Sequence, residues 1–126
     1  MGLFTTKLTV WNPADPSRRE EIELWVDTEA YCSWISRSRL EALGISPSRR
    51  RQFRTIEGRV IERDIAPVFL AADGYTSGDN VVMAEPGDAE VMGALTLEGL
   101  GMAADPVQKR LVPIPVLLAL VAEVSS

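Results

Sequence analysis

The sequence predicts a mostly β domain, a barrel or sandwich of short strands with one or two short helices. Polar and apolar residues alternate over residues 7–10 and 21–26, as they do in half-buried strands. Clusters of Pro, Gly, Asn and Asp separate the short apolar runs, and such clusters form turns. At 126 residues, with no linker or low-complexity tract, residues 1–126 are predicted to form a single domain.

The first two predicted strands form a hairpin. Residues 12–16 between them contain Pro13 and Pro16, so this segment is predicted to be a loop. The second strand runs directly into Asp27, which therefore lies at the end of an apolar strand. A carboxylate in that position is either a turn former that accepts hydrogen bonds from nearby backbone N–H groups or part of an active site.

Two short stretches carry helix signals. Ser38 and Glu41 have the spacing of a capping box, and Gly44 is the predicted stop signal of the helix that they begin. A second helical pattern spans residues 95–100 and ends at Gly101. Both helices are predicted to be only about two turns long.

The remaining elements are strands, turns and loops. Glu57-Gly58 is predicted to be a two-residue hairpin turn, and Asp73-Gly74 a second turn. Residues 85–88 are predicted to form a loop. The further predicted strands span residues 52–56, 59–61, 68–71, 81–84 and 110–114.

Histidine is absent from the chain, and Cys32 is its one cysteine. Nucleophilic systems that use an imidazole base are therefore excluded, and so are zinc sites built from His and Cys clusters. No disulfide can form within the chain, which favours a reducing, cytoplasmic location. General acid–base chemistry is left to carboxylates, with Lys, Tyr or a carboxylate-bound metal as poorer candidates.

A net charge of −5 disfavours a nucleic-acid partner. The run Arg49-Arg50-Arg51 is the local exception, and we interpret it as a solvated loop, with contact to an anionic partner as the alternative. The apolar C-terminal segment is too short to span a bilayer and is interrupted by Pro113 and Pro115, so no membrane partner is expected.

Two motifs together carry a resemblance to a known family. The first is LWVDTEA at residues 24–30, and the second is VMGALTLEGLG at residues 91–101. In their order and in the hairpins between them, the chain resembles the retropepsins, the viral-type aspartic proteases, and their bacterial single-lobe relatives. The resemblance covers about residues 7–114, leaves an apolar tail at 115–126, and implies a closed, barrel-like retropepsin fold.

The resemblance implies a role for each motif. Asp27 would be the catalytic aspartate, one from each subunit of a homodimer, and Thr28 would hydrogen-bond across the dimer axis. Glu29 and Ala30 would continue the active-site loop. The support beneath this loop would be Val91, Met92 and Gly93, with Gly93 allowing a close backbone approach. The flap that closes over an extended peptide would be Ile56, Glu57, Gly58 and Arg59, and residues 81–84 would line the cleft.

The implied chemistry needs no metal or cofactor. Two carboxylates that lie close together share one proton, because both cannot ionise easily. The ionised member takes a proton from water, which attacks the peptide carbonyl, while the protonated member polarises that carbonyl. One chain supplies one such carboxylate, so a two-fold axis must supply the other. The N-terminal strand and the tail at 115–124 are the expected interface segments.

Glu29 departs from the family pattern, which has glycine after Asp-Thr. Glycine lets substrate approach closely, whereas Glu29 adds bulk and like charge near the paired aspartates, unless it points away and pairs with Arg54 or Arg59. The alternative function is therefore a catalytically impaired dimer that acts as a peptide-binding or scaffolding module. A third possibility is a small acidic partner protein with an unrelated β-barrel fold.

Overall fold

A computed structural model describes residues 3–114, and this part of the chain is mostly β, as predicted. The tail at 115–126, expected to contribute to an interface, lies outside the described residues. The described helices are α1 (Arg37–Ala42) and α2 (Ala94–Leu100). The described strands are β1 (Thr5–Asn12), β2 (Asp15–Val26), β3 (Trp34–Ser36), β4 (Arg49–Arg54), β5 (Val60–Ala72), β6 (Tyr75–Ala84), β7 (Val91–Met92), β8 (Met102–Asp105) and β9 (Arg110–Pro113).

Seven of these strands form one sheet whose pairings close on themselves. Their order is β1-β2-β7-β3-β6-β5-β4, and β1 also pairs with β5. β4 lies outside this ring and pairs with the N-terminal half of β5 as a projecting hairpin. β8 and β9 form a separate two-stranded hairpin. No helix in residues 3–114 is long and apolar enough to cross a membrane.

The interior of the ring is filled by alternate side chains of the strands. Ile22, Leu24 and Val26 of β2 are buried while the residues between them are exposed, which confirms the predicted alternation. Leu70 of β5 and Met92 of β7 are fully buried in the same cluster. Each such side chain contributes roughly 1.5–3 kcal/mol of burial free energy, so the core holds the ring closed.

The predicted loop at 12–16 is wrong in extent, because β2 already begins at Asp15. Asn12 tightens this connection to two residues: its Oδ1 accepts the Ala14 N–H at 2.8 Å, and its Nδ2 donates to the Leu43 carbonyl at 2.9 Å. The register of β1 against β2 shifts between Trp11 and Asn12, as it does at a β-bulge: Trp11 pairs with Arg19, and Asn12 pairs with Asp15.

The predicted strands at 59–61 and 68–71 are one continuous strand, β5, of 13 residues. Charged residues in its middle stay on the exposed face, where Arg50 of β4 donates to Glu62 and Asp64 at 3.1 Å each. The arginine run is thus part of strand β4, and the predicted solvated loop is wrong. Within the run, Arg50 has acidic cross-strand partners, while Arg49 lies opposite Ile65 and Arg51 opposite Arg63.

The capping box is also wrong, because α1 begins at Arg37 and Ser38 lies inside it. Ser36 is the N-cap residue, and its N–H donates to Glu90 Oε1 at 2.8 Å. The predicted stop at Gly44 is confirmed, with a positive φ of 75°. The second helix begins one residue early, at Ala94, and Gly101 ends it in the left-handed conformation as predicted.

A ladder of stacked side chains lies across the closing pair, β1 and β5. Arg19 lies over the Trp11 ring at 5.0 Å, and the Trp11 and Phe69 rings stack at 5.8 Å. Gly78 faces Phe69 on the next strand, where a Cβ would lie 3.3 Å from the Phe69 ring. The ladder therefore crosses four neighbouring strands and stabilises the closure of the ring.

We predict that Phe69→Ala lowers the free energy of unfolding by about 1–2 kcal/mol, because it removes the stacking contact at the closure. The urea midpoint measures the change. Tyr75→Ala is the matched control, since Tyr75 is a similarly exposed aromatic on the neighbouring strand and is expected to change stability by less than about 0.5 kcal/mol. Equal losses in both variants would contradict a specific role for the ladder.

Candidate functional site

The connection between β2 and β3, residues 27–33, is termed the Asp27 loop. Asp27 follows the last residue of β2, and its N–H donates to the Met92 carbonyl of β7 at 2.9 Å. Asp27 Oδ1 accepts the Glu29 N–H at 3.1 Å, and the Ala30 N–H donates to the Asp27 carbonyl at 3.2 Å. These bonds make a tight turn that leaves the Asp27 side chain half-buried and Thr28 and Glu29 exposed. The contact of Thr28 across a dimer axis stays a prediction.

β7 passes beneath the Asp27 loop, between β2 and β3. It runs parallel to β2 and antiparallel to β3, so the two strands that flank the loop are joined only through it in this part of the ring. A Cβ at Gly93 would lie 2.5 Å from the Cys32 carbonyl oxygen and 2.9 Å from that of Ala30. The Ala94 N–H donates to the Ala30 carbonyl at 2.8 Å, which fixes this close approach. Only glycine fits position 93 without moving the backbone.

The β4–β5 hairpin ends in residues 55–59, termed the hairpin tip. Five residues, 55–59, separate the end of β4 from the start of β5, so the predicted two-residue turn is wrong. The Gly58 N–H donates to the Thr55 carbonyl at 2.9 Å and Gly58 has a φ of 86°, the geometry of a turn followed by a left-handed residue. Ile56 is fully exposed at the end of the hairpin. An isoleucine in this position places apolar surface where the hairpin can contact a ligand or a partner.

A groove of about 600 Å³ joins the Asp27 loop to the hairpin tip. Of the residues singled out in the sequence, it brings together Asp27, Ile56, Glu57, Arg59 and Val91. The other lining residues are Trp34, Thr55, Ile61, Arg63, Gly87, Asp88 and Ala89.

The remaining sequence-predicted residues do not line this groove. Met92 and Gly93 are buried beneath the loop, and Thr28, Glu29, Ala30 and Gly58 are not among the lining residues. Residues 81–84, expected to line the cleft, have buried side chains, and their place in the lining is taken by residues 87–89. Val81 and Met83 face the main core, whereas Val82 on the opposite face packs with Cys32 and Ile65, so both faces of this part of β6 are covered.

The comparisons with known proteins add no identification. No family model, curated protein or solved structure matches this chain. Within residues 3–114, no group of three His, Cys, Asp or Glu side chains is arranged to hold a metal ion.

Sequence analysis missed an ion pair in the groove, Arg63 with Asp88. Asp88 accepts from Arg63 at 2.7 and 2.9 Å, and its Oδ2 also accepts the Glu85 N–H at 2.8 Å. The Arg63 guanidinium holds the pKa of Asp88 below its usual value. Alternation along β5 could have placed Arg59, Ile61 and Arg63 on one face, but nothing in the sequence indicates Asp88 as the partner.

A second ion-pair group holds the base of the hairpin. Arg37 of α1 bonds Asp64 of β5 and also donates to Glu85 at 2.9 Å. The Arg37 guanidinium lowers the pKa of Asp64. Together the two groups attach the hairpin base to α1 and to the loop at 85–88.

We predict that Gly93→Ala destabilises the protein by about 3 kcal/mol, since the added methyl group meets two backbone carbonyls that cannot rotate away. Chemical denaturation measures the loss. Gly99→Ala is the control, because its Cβ meets only the Ser77 side chain, which can rotate. An unchanged urea midpoint for Gly93→Ala would contradict this prediction, because it would show that the Asp27 loop can shift to accept the methyl group without loss of stability.

We predict that Asp88→Asn is less stable than the wild type at pH 7 and that this difference disappears in acid. Because the folded pKa of Asp88 is lowered, its stabilising contribution is present above the unfolded pKa of about 3.9 and is lost as the pH falls through the folded value. Urea midpoints of both proteins between about pH 7 and pH 2 measure the difference. A constant difference across this range would contradict the ion-pair assignment.

Proposed function

We propose that this chain is a homodimeric aspartic endopeptidase of the retropepsin type, with a closed, barrel-like fold and one Asp27 from each subunit in its catalytic pair. The observation that carries the proposal is the shared groove, which Asp27 and residues of the hairpin tip line together. A carboxylate at the floor and a hairpin above it are the parts that peptide hydrolysis under a flap requires.

A second subunit is needed because the groove of one chain offers no suitable second carboxylate. Asp27, Glu57 and Asp88 are the carboxylates among its lining residues. Backbone and Thr55 hydrogen bonds lower the pKa of Glu57, and the Arg63 guanidinium lowers that of Asp88. A proton-sharing partner must be able to hold a proton, and the lowered pKa works against this in both Glu57 and Asp88. A second copy of Asp27 is the partner that we propose instead.

In the proposed mechanism the two Asp27 carboxylates share one proton. The ionised carboxylate takes a proton from a water molecule as that water attacks the peptide carbonyl. The protonated carboxylate donates a hydrogen bond to the carbonyl oxygen and afterwards supplies a proton to the leaving amine. The Met92 carbonyl and the Glu29 N–H hold the backbone and one oxygen of Asp27, so the carboxylate is oriented before substrate binds.

The substrate is proposed to be an extended peptide. The groove runs from the Asp27 loop to the hairpin tip, and its walls carry both apolar side chains, such as Trp34 and Val91, and charged ones. An extended chain advances about 3.3 Å per residue and directs successive side chains to opposite sides, so it can contact the floor and the hairpin at once. The exposed Ile56 at the tip supplies an apolar contact when the hairpin closes.

One observation favours a second function, a peptide-binding dimer without catalysis. Glu29 lies two residues after Asp27, is exposed, and is bonded through its N–H to the Asp27 carboxylate. Its side chain adds a carboxylate two residues from each Asp27 of the proposed catalytic pair, and a like charge there disfavours ionisation of the pair. In this second function the chain still forms a dimer and binds peptide in the groove, but it does not hydrolyse the peptide.

We predict that the wild type cleaves a mixed peptide library between about pH 3 and pH 7, the range over which carboxyl groups titrate. Asp27→Asn should lower cleavage at least about a hundredfold, because it removes the acid–base group while keeping the shape of the side chain. Mass spectrometry of the products measures cleavage.

Analytical ultracentrifugation is the control, and both proteins are expected to be dimers. Cleavage that persists in Asp27→Asn would rule out the mechanism, and a monomeric wild type would rule out the paired site. If only Glu29→Gly cleaves, the binding function is the correct one.

A further inference from the structure

A chain of buried polar groups lies beneath the Asp27 loop and has no part in the mechanism above. The Gly93 N–H donates to Ser33 Oγ at 2.9 Å, and Ser33 Oγ lies 2.5 Å from Thr96 Oγ1. Thr96 Oγ1 donates to Asp79 Oδ2 at 2.5 Å. Ser33 and Thr96 are 1% and 0% exposed, so these groups bond one another in place of water.

The order of donors and acceptors in this chain is fixed. Each hydroxyl carries one hydrogen atom, and Thr96 gives its own to Asp79. Thr96 must then accept from Ser33, and Ser33 must in turn accept from Gly93. The other carboxylate oxygen, Asp79 Oδ1, accepts the Asn80 N–H at 2.7 Å. Both oxygens of Asp79 thus face donors, an arrangement that suits the ionised carboxylate.

The chain reaches Asp27 through a single peptide group. The peptide bond between Met92 and Gly93 carries the Gly93 N–H, which donates to Ser33, and also the Met92 carbonyl, which accepts the Asp27 N–H at 2.9 Å. Hydrogen bonds linked in this way polarise one another, so a negative charge at one end strengthens the bonds along the chain. The rigid peptide plane transmits orientation as well, because it cannot rotate at one end alone.

We propose that Asp79 is a positioning residue for Asp27 and that it acts through Thr96, Ser33 and the Met92–Gly93 peptide group. The ionised carboxylate fixes the direction of both hydroxyls, and the hydroxyls fix the peptide plane that holds the Asp27 backbone. The catalytic consequence rests on the proposed function, whereas the effect on the Asp27 backbone does not.

The location of Asp79 supports a task beyond packing. Asp79 lies on β6 and bonds Thr96 of α2 through its side chain, while a backbone bond from the Val82 N–H to the Ser33 carbonyl at 2.9 Å joins the same strand to the Asp27 loop. Burial raises the pKa of Asp79, and the bonds from Thr96 and Asn80 oppose that rise. Asp79 is half-buried, so its bonds to Thr96 and Asn80 replace only part of its contact with water. No described buried side-chain nitrogen or oxygen lacks a partner, so the chain is complete.

The test compares Thr96→Val with Thr96→Ser. Valine keeps the shape of the side chain and removes the hydroxyl, whereas serine keeps the hydroxyl and removes a methyl group. We expect amide hydrogen exchange at Asp27 and Gly93 to be about tenfold faster in Thr96→Val than in Thr96→Ser, since one buried bond is lost. Exchange at Leu70 and Ser77, which pair between β5 and β6, is the internal reference for overall stability. Equal exchange at Asp27 in the two variants would overturn the proposal.

A second variant covers the case in which Thr96→Val does not fold. Asp79→Asn keeps the size of the side chain but replaces one acceptor oxygen with an NH₂ donor, so either the Asn80 bond breaks or the Thr96 hydroxyl must reverse and donate to Ser33, which leaves the Ser33 hydrogen without its acceptor. We expect faster exchange at Asp27 relative to the same reference. Exchange that changes only in proportion to the reference would mean that Asp79 has a structural role alone.

Catalysis gives a separate readout. With a cleaved peptide, Thr96→Val is expected to lower kcat about tenfold or more with little change in KM, because a misplaced carboxylate slows the reaction without weakening binding. Thr96→Ser should restore kcat to near the wild-type value. If the wild type cleaves nothing, the proposed function fails, and the exchange measurements still decide whether Asp79 positions the Asp27 loop.

Discussion

The passage of β7 beneath the Asp27 loop is the constraint on which the rest of the structure depends. β2 and β3 are joined in the ring only through this two-residue strand, so the ring closes only if β7 fits between them. The fit requires Gly93, because a Cβ there would meet the carbonyls of Ala30 and Cys32. The same close approach holds Asp27 through the Met92 carbonyl. The strand that completes the ring therefore also holds the Asp27 backbone in place.

Two kinds of polar interaction hold the groove, and they act on different parts of it. The floor is fixed by a chain of buried amide and hydroxyl groups that ends at the Asp79 carboxylate. The hairpin base is fixed by partly exposed ion pairs of Arg37 and Arg63. Ion pairs near the surface contribute little net stability and are weakened by salt, whereas buried bonds are costly to break. Among the described residues, the bonds of the hairpin tip lie within its own turn. The floor is thus bonded to the core, the hairpin base to α1 and the loop at 85–88, and the described tip to its own turn.

Most of the fold could be predicted because its signals are local. The alternation of β2, the glycine stops at Gly44 and Gly101, and the Asp73-Gly74 turn each depend on neighbours in sequence, and each is present as predicted. The errors came where distant contacts override local preference. The arginine run is part of strand β4, where acidic residues of β5 bond its middle member, and the turn at Pro13 shortened because Asn12 bonds Leu43.

The sequence by itself determined that no histidine is present to act as a base, that Asp27 ends an apolar strand, and that a glycine follows Val91-Met92. These are properties of residue type and near neighbours, which the chain order carries directly. Only the tertiary structure decided that Asp27 shares a groove with the hairpin tip, that Arg63 pairs with Asp88, and that Asp79 connects to the Asp27 backbone. Those relations join residues far apart in sequence. They arise from strand register and from burial, which no local pattern encodes.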